Sequence, residues 1–268
     1  MQSAVPTLER IRIYPLKSFD GVDVEQARVL ASGSLAWDRR YALHDEQGAV
    51  INGKRCSLLH AVRIAWTPEA DALGFVVQVG SERLRGRLPK DASRLEAWLG
   101  EYLGQPVDLR ENAADGFPDD VEAHGPTVVA SASLLRVAEW LAEDPEITRQ
   151  RFRANLEIGG VPAFWEDGLL GAEHEPPGRL RIGAVELLGL KPCTRCPVPT
   201  RHPGTGEADS GLPRRFSAQR EAELPEWAPR ERFTHYYRFT LNTGMAPGSK
   251  GARLNCGDEV SVLRGRCL

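Results

Sequence analysis

The stretch AVELLGLKPCTRCPVPTRHPGTGE, residues 184–207, decides how this chain is read. An apolar run ends at Leu190, Cys193 and Cys196 follow three apart, and a loop of Pro, Gly, Thr and Arg comes next. An apolar run that closes on turn residues marks a strand ending in a loop. Four readings place cysteines there. Zinc normally takes four N/S ligands with a second close pair, and Cys56, Cys256, Cys267 and six scattered histidines offer none. A thioredoxin-type pair opens a helix in a βαβ unit, whereas Pro197 and Pro199 follow here without a helical pattern. Two small core side chains sit poorly beside Lys191 and Arg195. The fourth reading is one thiolate on a soft, high-valent metal that carries sulfur ligands of its own. Cationic neighbours suit it, because they favour the thiolate.

A metal that arrives inside a cofactor usually brings a phosphate, so the chain should also hold an anion site. In TRQRFRANLEI (148–158), Arg149, Arg151 and Arg153 recur at every second residue. Read as a strand near 151–158, the segment turns all three to one face; a solvated basic face is the bland alternative. YPLKSFDG (14–21) sets Lys17 and Ser18 at a strand end, and WDRRYALHD (37–45) sets Arg39 and Arg40 at a strand start. Cations beside a hydroxyl are typical phosphate donors. A helix starting at Ser131–Ser133 would add free N–H groups and a positive dipole end.

Farther out, strands dominate. RIRIYPL (10–16) alternates, and GFVVQVG (74–80) and ERLRGRL (82–88) predict a hairpin around Gly80-Ser81. ASRLEAWLGEYL (92–103) predicts a helix with Leu95, Trp98, Leu99 and Leu103 on one face and Gly104 as its stop. Polar residues 111–126, with Gly and Pro, are the candidate boundary. Beyond it come TVVA (127–130), a helix over 133–144 with apolar positions 134, 137, 138 and 141, a strand pair over 179–190, and closing strands over 233–243 and 258–265. The expected class is a β-rich α+β fold, barrel-like, with helices covering its ends.

At 268 residues, with 41% hydrophobic and 26% charged side chains, the chain has ample material for a core. A formal net charge of −3 argues against wholesale binding to nucleic acid. No apolar run reaches the roughly 18–20 residues of a membrane span, and the N-terminus lacks the pattern of a secretory signal. A cytoplasmic location is therefore expected. Five cysteines, an odd number, in a reducing compartment make a disulfide framework the poorer reading.

Together these segments resemble a known family. LKPCTRC (190–196) with the turn through Gly206 resembles the signature of MOSC domains, the molybdenum-cofactor sulfurase C-terminal fold. YPLKSFDGVDVEQARV (14–29) and WDRRYALHDEQG (37–48) resemble the β-barrel domain that precedes MOSC in one branch. RFRANLEI (151–158), residues 163–187 and NCGDEVSVL (255–263) resemble further segments of that branch. The resemblance implies an N-terminal β-barrel-like domain (1–115) packed on a MOSC β-barrel domain (116–268), with a few covering helices.

It also implies a molybdenum cofactor whose metal is bound by Cys196, with Cys193 not a ligand. The cofactor contacts carried over by matching position are Lys17, Ser18, Arg39, Ser133, Arg153, Asn155, Thr194 and Arg195. The branch includes reductases of N-hydroxylated bases, so the implied chemistry is N–O bond reduction, with a non-catalytic carrier of sulfurated cofactor as the alternative. Ala154 stands where Pro is usual and His202 where many members have Asp, departures that leave Cys196 untouched. The loop 197–215 is expected at the mouth of the site, with His202, Glu166 and Asp167 as candidate proton handlers. The C-x₄-C-x₂-C spacing of a [2Fe–2S] cluster is absent, so electrons are expected from a separate ferredoxin, flavoprotein or cytochrome b5-like partner.

Overall fold

In the computed structural model, residues 5–69, 71–246 and 248–264 are described. Local signals set much of the first part. It begins with β1 (Thr7–Ile13), β2 (Val22–Val24), β3 (Gln26–Arg28) and β4 (Tyr41–His44). Then come β5 (Arg63–Pro68), β6 (Leu73–Val79) and β7 (Glu82–Leu88). The β6–β7 hairpin turns at Gly80, whose φ of +57° suits a residue without Cβ. Helix α1 (Ala92–Leu103) buries Leu95, Leu99 and Leu103, spaced four apart, and stops at Gly104 in the left-handed conformation. β8 (Asp108–Glu111) pairs antiparallel with β4.

The second part runs β9 (Val128–Ala130), α2 (Ser131–Leu141), α3 (Pro145–Phe152) and β10 (Leu156–Gly159). It continues with β11 (Arg179–Ile182), β12 (Val185–Thr194) and α4 (Leu212–Ala222). β13 (Arg238–Met245), β14 (Arg253–Asn255) and β15 (Val260–Arg264) close it. The fold is mixed α+β and rich in strands, with four α-helices among the described residues.

Eight strands form one sheet in the order β15-β11-β12-β13-β9-β10-β1-β2, so the opening strands join those of the second part. The sheet curls toward itself: Thr7 bridges Glu259 beside β15, and the Val260 N–H donates to the Pro6 carbonyl at 2.8 Å. Leu8 adds bonds to the Asp258 carbonyl (2.9 Å) and from the Gly257 N–H (2.8 Å), but no strand pairing joins β1 or β2 to β15, so the barrel does not close among the described residues. Gly189 lets β12 pass close to the backbone of Leu169, because a Cβ there would lie 2.4 Å from the Leu169 carbonyl oxygen.

Two expectations need correction. The segment read as a strand near 151–158 is the end of α3 followed by β10. Asp144 caps α3 through its side chain on the Glu146 N–H (2.7 Å), Pro145 takes the first helical position, and Arg153 ends the helix at φ +52°. The alternating arginines are thus helical neighbours and do not share a face. The loop 197–215 also becomes helical from Leu212, because Phe216 packs into an aromatic cluster with Phe152 (5.4 Å) and Phe239 (5.9 Å).

Candidate functional site

β12 and β13 run together with one irregularity at Leu190 and shift register again at the cysteine motif. Pairing skips from Pro192↔Leu241 to Thr194↔Arg238, so Phe239 and Thr240 stand opposite Cys193 alone. This is a β-bulge, a device that re-aims side chains beside sites. Thr240 sits at φ +70°, a strained value for a β-branched residue. Cys193 is the second-last residue of β12, and Cys196 follows just past the strand end. Both are free and half-buried.

The motif opens on a cavity of about 830 Å³, in the size range of cofactor and substrate sites. Cys196, Thr194 and Arg195 line one wall, and Ser18, Arg39, Arg153 and Asn155 line another. Three of these residues, Ser18 (φ +74°), Arg39 (+50°) and Arg153 (+52°), hold left-handed backbone. Non-glycine residues adopt it seldom, and such strain gathers at binding sites.

Two of the cavity arginines, Arg39 and Arg153, meet across Tyr14. The Arg153 guanidinium lies 4.0 Å from the Tyr14 ring centroid and that of Arg39 lies 5.0 Å from it. Arg39 pairs with Asp38. Burial alone would lower its pKa, but Asp38 and then Asp119 overcome this and raise it. Arg153 has no carboxylate partner among the described residues, and burial holds its pKa below the usual arginine range. Asn155 positions Arg39. Its Oδ1 accepts from the Thr127 N–H (3.2 Å) and the Arg39 guanidinium (3.5 Å), while its Nδ2 donates to the Arg12 carbonyl (3.0 Å). Arg195 donates to Cys193 Sγ (3.1 Å) and to the Phe152 carbonyl (2.8 Å), and its Nε is buried without a partner.

Other expected residues lie elsewhere. Lys17 is buried behind the cavity, where its ammonium donates to the carbonyls of Phe117 (2.8 Å) and Pro118 (3.1 Å) and pairs with Asp119 (2.8 Å). Ser133 lies outside the cavity. It accepts from the Phe164 N–H (2.6 Å) and donates to Glu166 Oε2 (2.9 Å). The start of α2 is already met by carboxylates, Glu9 on Ser131 and Glu166 on the Ala130 N–H, so no free anion site remains there. Arg149 is held by Glu157 (2.7 Å); Arg151 does line the cavity but is neutralised by Glu143 (2.8 Å) and bonded to the carbonyls of Pro199 and Arg201. Arg40 faces Glu111.

The acid pair is also displaced from the mouth. Glu166 and Asp167 are buried, Asp167 against Arg220 and Glu166 against Ser133. His202 spends Nδ1 on the N–H groups of Gly204 (3.1 Å) and Thr205 (3.2 Å). The loop does reach the cavity through Val198, Pro199, Arg201 and Gly204. Among the described residues no group of three or more His, Cys, Asp or Glu side chains converges as a metal cage. Cys267 lies outside the described residues.

The pattern of the MOSC N-terminal beta barrel domain matches residues 5–120, and that of the MOSC domain matches residues 125–261. The chain belongs to the MOSC family. It is 27% identical to human mitochondrial amidoxime-reducing component 1 over 244 residues, covering 75% of this MOSC chain and 68% of that protein. It is 24% identical to the human component 2 over 250 residues, with 78% and 70% covered. It is 25% identical to molybdenum cofactor sulfurase of Drosophila grimshawi over 296 residues, covering 98% of this chain and 35% of the sulfurase. The chain therefore spans about a third of that larger relative.

Four residues of this MOSC cavity were not signalled by the sequence reading: Tyr14, His60, His124 and Arg238. Tyr14 stands inside the quoted YPLKSFDG, and its role as a platform emerges only when Arg39 and Arg153 fold onto it. The Nε2–H of His60 donates to the Gly53 carbonyl (3.0 Å). Burial, with Arg201 and Arg153 nearby, lowers its pKa, so it is neutral at pH 7. No helix among the described residues is long and apolar enough to cross a membrane.

Proposed function

We propose that this chain binds a molybdenum cofactor through Cys196 and reduces N-hydroxylated compounds with electrons from a separate redox partner. One observation carries the reading: the Cys196 thiol and the carboxylate-free guanidinium of Arg153 line the same cavity. The residues present fit such a group. With no cage of three or more ligands among the described residues, a metal at Cys196 would bring most of its own donors, as a dithiolene-bound metal does. The charge of Arg153, which Asp119 and Asp20 influence but no carboxylate among the described residues pairs directly, suits an anionic moiety of the same molecule.

When bound, the cofactor would supply two-electron redox chemistry. The chain's own part is to bind and orient. Arg153 and Arg39, fixed by Tyr14, Asp38 and Asn155, anchor the phosphate end. Ser18, Thr194 and Arg195 line the body of the site, and Lys17 holds the 117–119 loop that shapes it. Cys196 supplies the single protein sulfur. The neutral imidazole of His60, with Nε2–H on the Gly53 carbonyl, is the group that accepts and passes on a proton in place of His202, Glu166 and Asp167. The partner is a ferredoxin, a flavoprotein or a cytochrome b5-like protein, in a cytoplasmic setting that keeps the thiols reduced.

A carrier of sulfurated cofactor is the second reading. It is favoured by one observation, that 98% of this chain is covered in the match to the sulfurase. Turnover of an amidoxime by cofactor-loaded protein with a chemical electron donor tests the reductase. Loaded protein that yields no amidine, yet passes its cofactor to an acceptor apoenzyme, would replace it with the carrier.

A further inference from the structure

Arg238 opens β13 directly across from Thr194, at the end of the strand that carries the cysteines. Its side chain is held from behind, Nη2 by Thr234 Oγ1 (2.8 Å) and Nη1 by the Arg232 carbonyl (3.3 Å), while its Nε is buried with no partner. No carboxylate among the described residues pairs with it. Burial and the neighbouring Arg232 lower its pKa, partly offset by Cys193. Arg232 is itself fastened to carbonyls, those of Leu190 (2.6 Å) and Gly171 (3.4 Å). Like charges gathered at low exposure repel one another. Here no carboxylate among the described residues pairs with either Arg238 or Arg195, and both face the cavity.

This cationic group is separate from the pole at Tyr14. Arg153 follows α3 and stacks on Tyr14, whereas Arg238 flanks the cysteines on β13. The bulge at Phe239–Thr240, with its strained Thr240, comes immediately after Arg238 and fixes where it leaves the sheet. In the reading above, the Tyr14 pole takes the cofactor's phosphate, and the cysteine side is where the reacting compound must sit. A guanidinium left unpaired on that side faces the compound being reduced.

We propose that Arg238 is a specificity residue that takes a carboxylate or phosphate group of the substrate, so that the preferred N-hydroxylated compounds are anionic. The inference rests on the proposed reductase function and names the substrate class for that site. Thr234 and the Arg232 carbonyl take one N–H from each Nη of Arg238, so the cavity-lining guanidinium keeps a second N–H on each with which to donate to either oxyanion.

The test compares benzamidoxime with its 4-carboxylate and 4-phosphate derivatives, on wild-type, Arg238→Gln and Arg238→Lys proteins. Calorimetric binding and kcat/KM are both measured, on cofactor-loaded protein whose melting temperature is checked for each variant. Wild type should prefer an anionic compound over the neutral one. The preference should fall about ten- to a hundredfold in Arg238→Gln and partly return in Arg238→Lys. The stronger of the two anionic compounds identifies the group recognised. Wild type without a preference, or an equal preference in Arg238→Gln, overturns the inference. Loss of turnover on every compound with the binding preference intact would remove the reductase reading and keep the anion subsite.

Discussion

The Arg153 guanidinium lies 4.0 Å above the ring of Tyr14 and has no carboxylate to pair with, while Arg149, four residues earlier, is clasped by both oxygens of Glu157. The two arginines share a segment and differ in what the fold brings to them. One is stabilised by a ring and left open to the cavity; the other is neutralised.

Arg153→Gln should therefore cut retained pterin at least about tenfold, since a charge-assisted contact is lost. Arg149→Gln should leave pterin content near wild type and cost roughly 1–3 kcal/mol of stability through the orphaned Glu157. Pterin quantified by fluorescence after denaturation, with melting curves for both variants, checks the pair. Equal pterin loss in both would contradict the placement.

Burial and then Asp167 push the Glu166 carboxyl up to about 8, from 4.5. Across that window the folded protein keeps a proton that the unfolded chain has released. Stability from this group is thus greatest at the acid end, falls as pH rises from about 4.5 to 8, and levels off above. Glu166→Gln should flatten the dependence and raise stability above pH 8 by roughly 1–3 kcal/mol. Melting temperature against pH reads this, and an unchanged profile in the variant would exclude Glu166 as its source.

Cys193 accepts from Arg195 at 3.1 Å, and Arg195 keeps a second anchor on the Phe152 carbonyl. Cys193→Ala should accordingly retain metal near the wild-type level. Metal content by mass spectrometry decides this, and loss equal to that in Cys196→Ala would point to two protein thiolates on one ion.

No cysteine group among the described residues can hold an iron–sulfur cluster. Cofactor-loaded protein with NADH alone should show no amidoxime reduction, and an added redox partner should start it. Turnover with NADH alone would remove the partner from the account.

The sequence carried the hairpin over residues 73–88 and helix α1 plainly, because turn glycines and four-residue apolar spacing act locally. The cysteine motif at a strand end was equally legible, through the apolar run before it. Helix α3 was not. It has eight residues, mostly polar, and its arginines at every second position mimic a strand face, although Asp144-Pro145 held the capping signal. The site's fine structure was hidden for a different reason. Whether a cation is free depends on which carboxylate the fold brings to it, whether nearby in sequence, as Glu157 is to Arg149, or distant, as Asp119 is from Lys17. Ser133 was read as part of a helix start offering free N–H groups and is instead closed over by Glu166, a partner 33 residues on. The bulge at Thr240 leaves no pattern, since only the pairing with β12 creates it.

The most direct test is the metal and pterin content of wild-type and Cys196→Ala protein, expressed in a host that makes molybdenum cofactor. The account predicts near-stoichiometric molybdenum with pterin in the wild type, and a Cys196→Ala protein that retains pterin with its metal site altered. Zinc in place of molybdenum, lost on changing either Cys193 or Cys196, would contradict it.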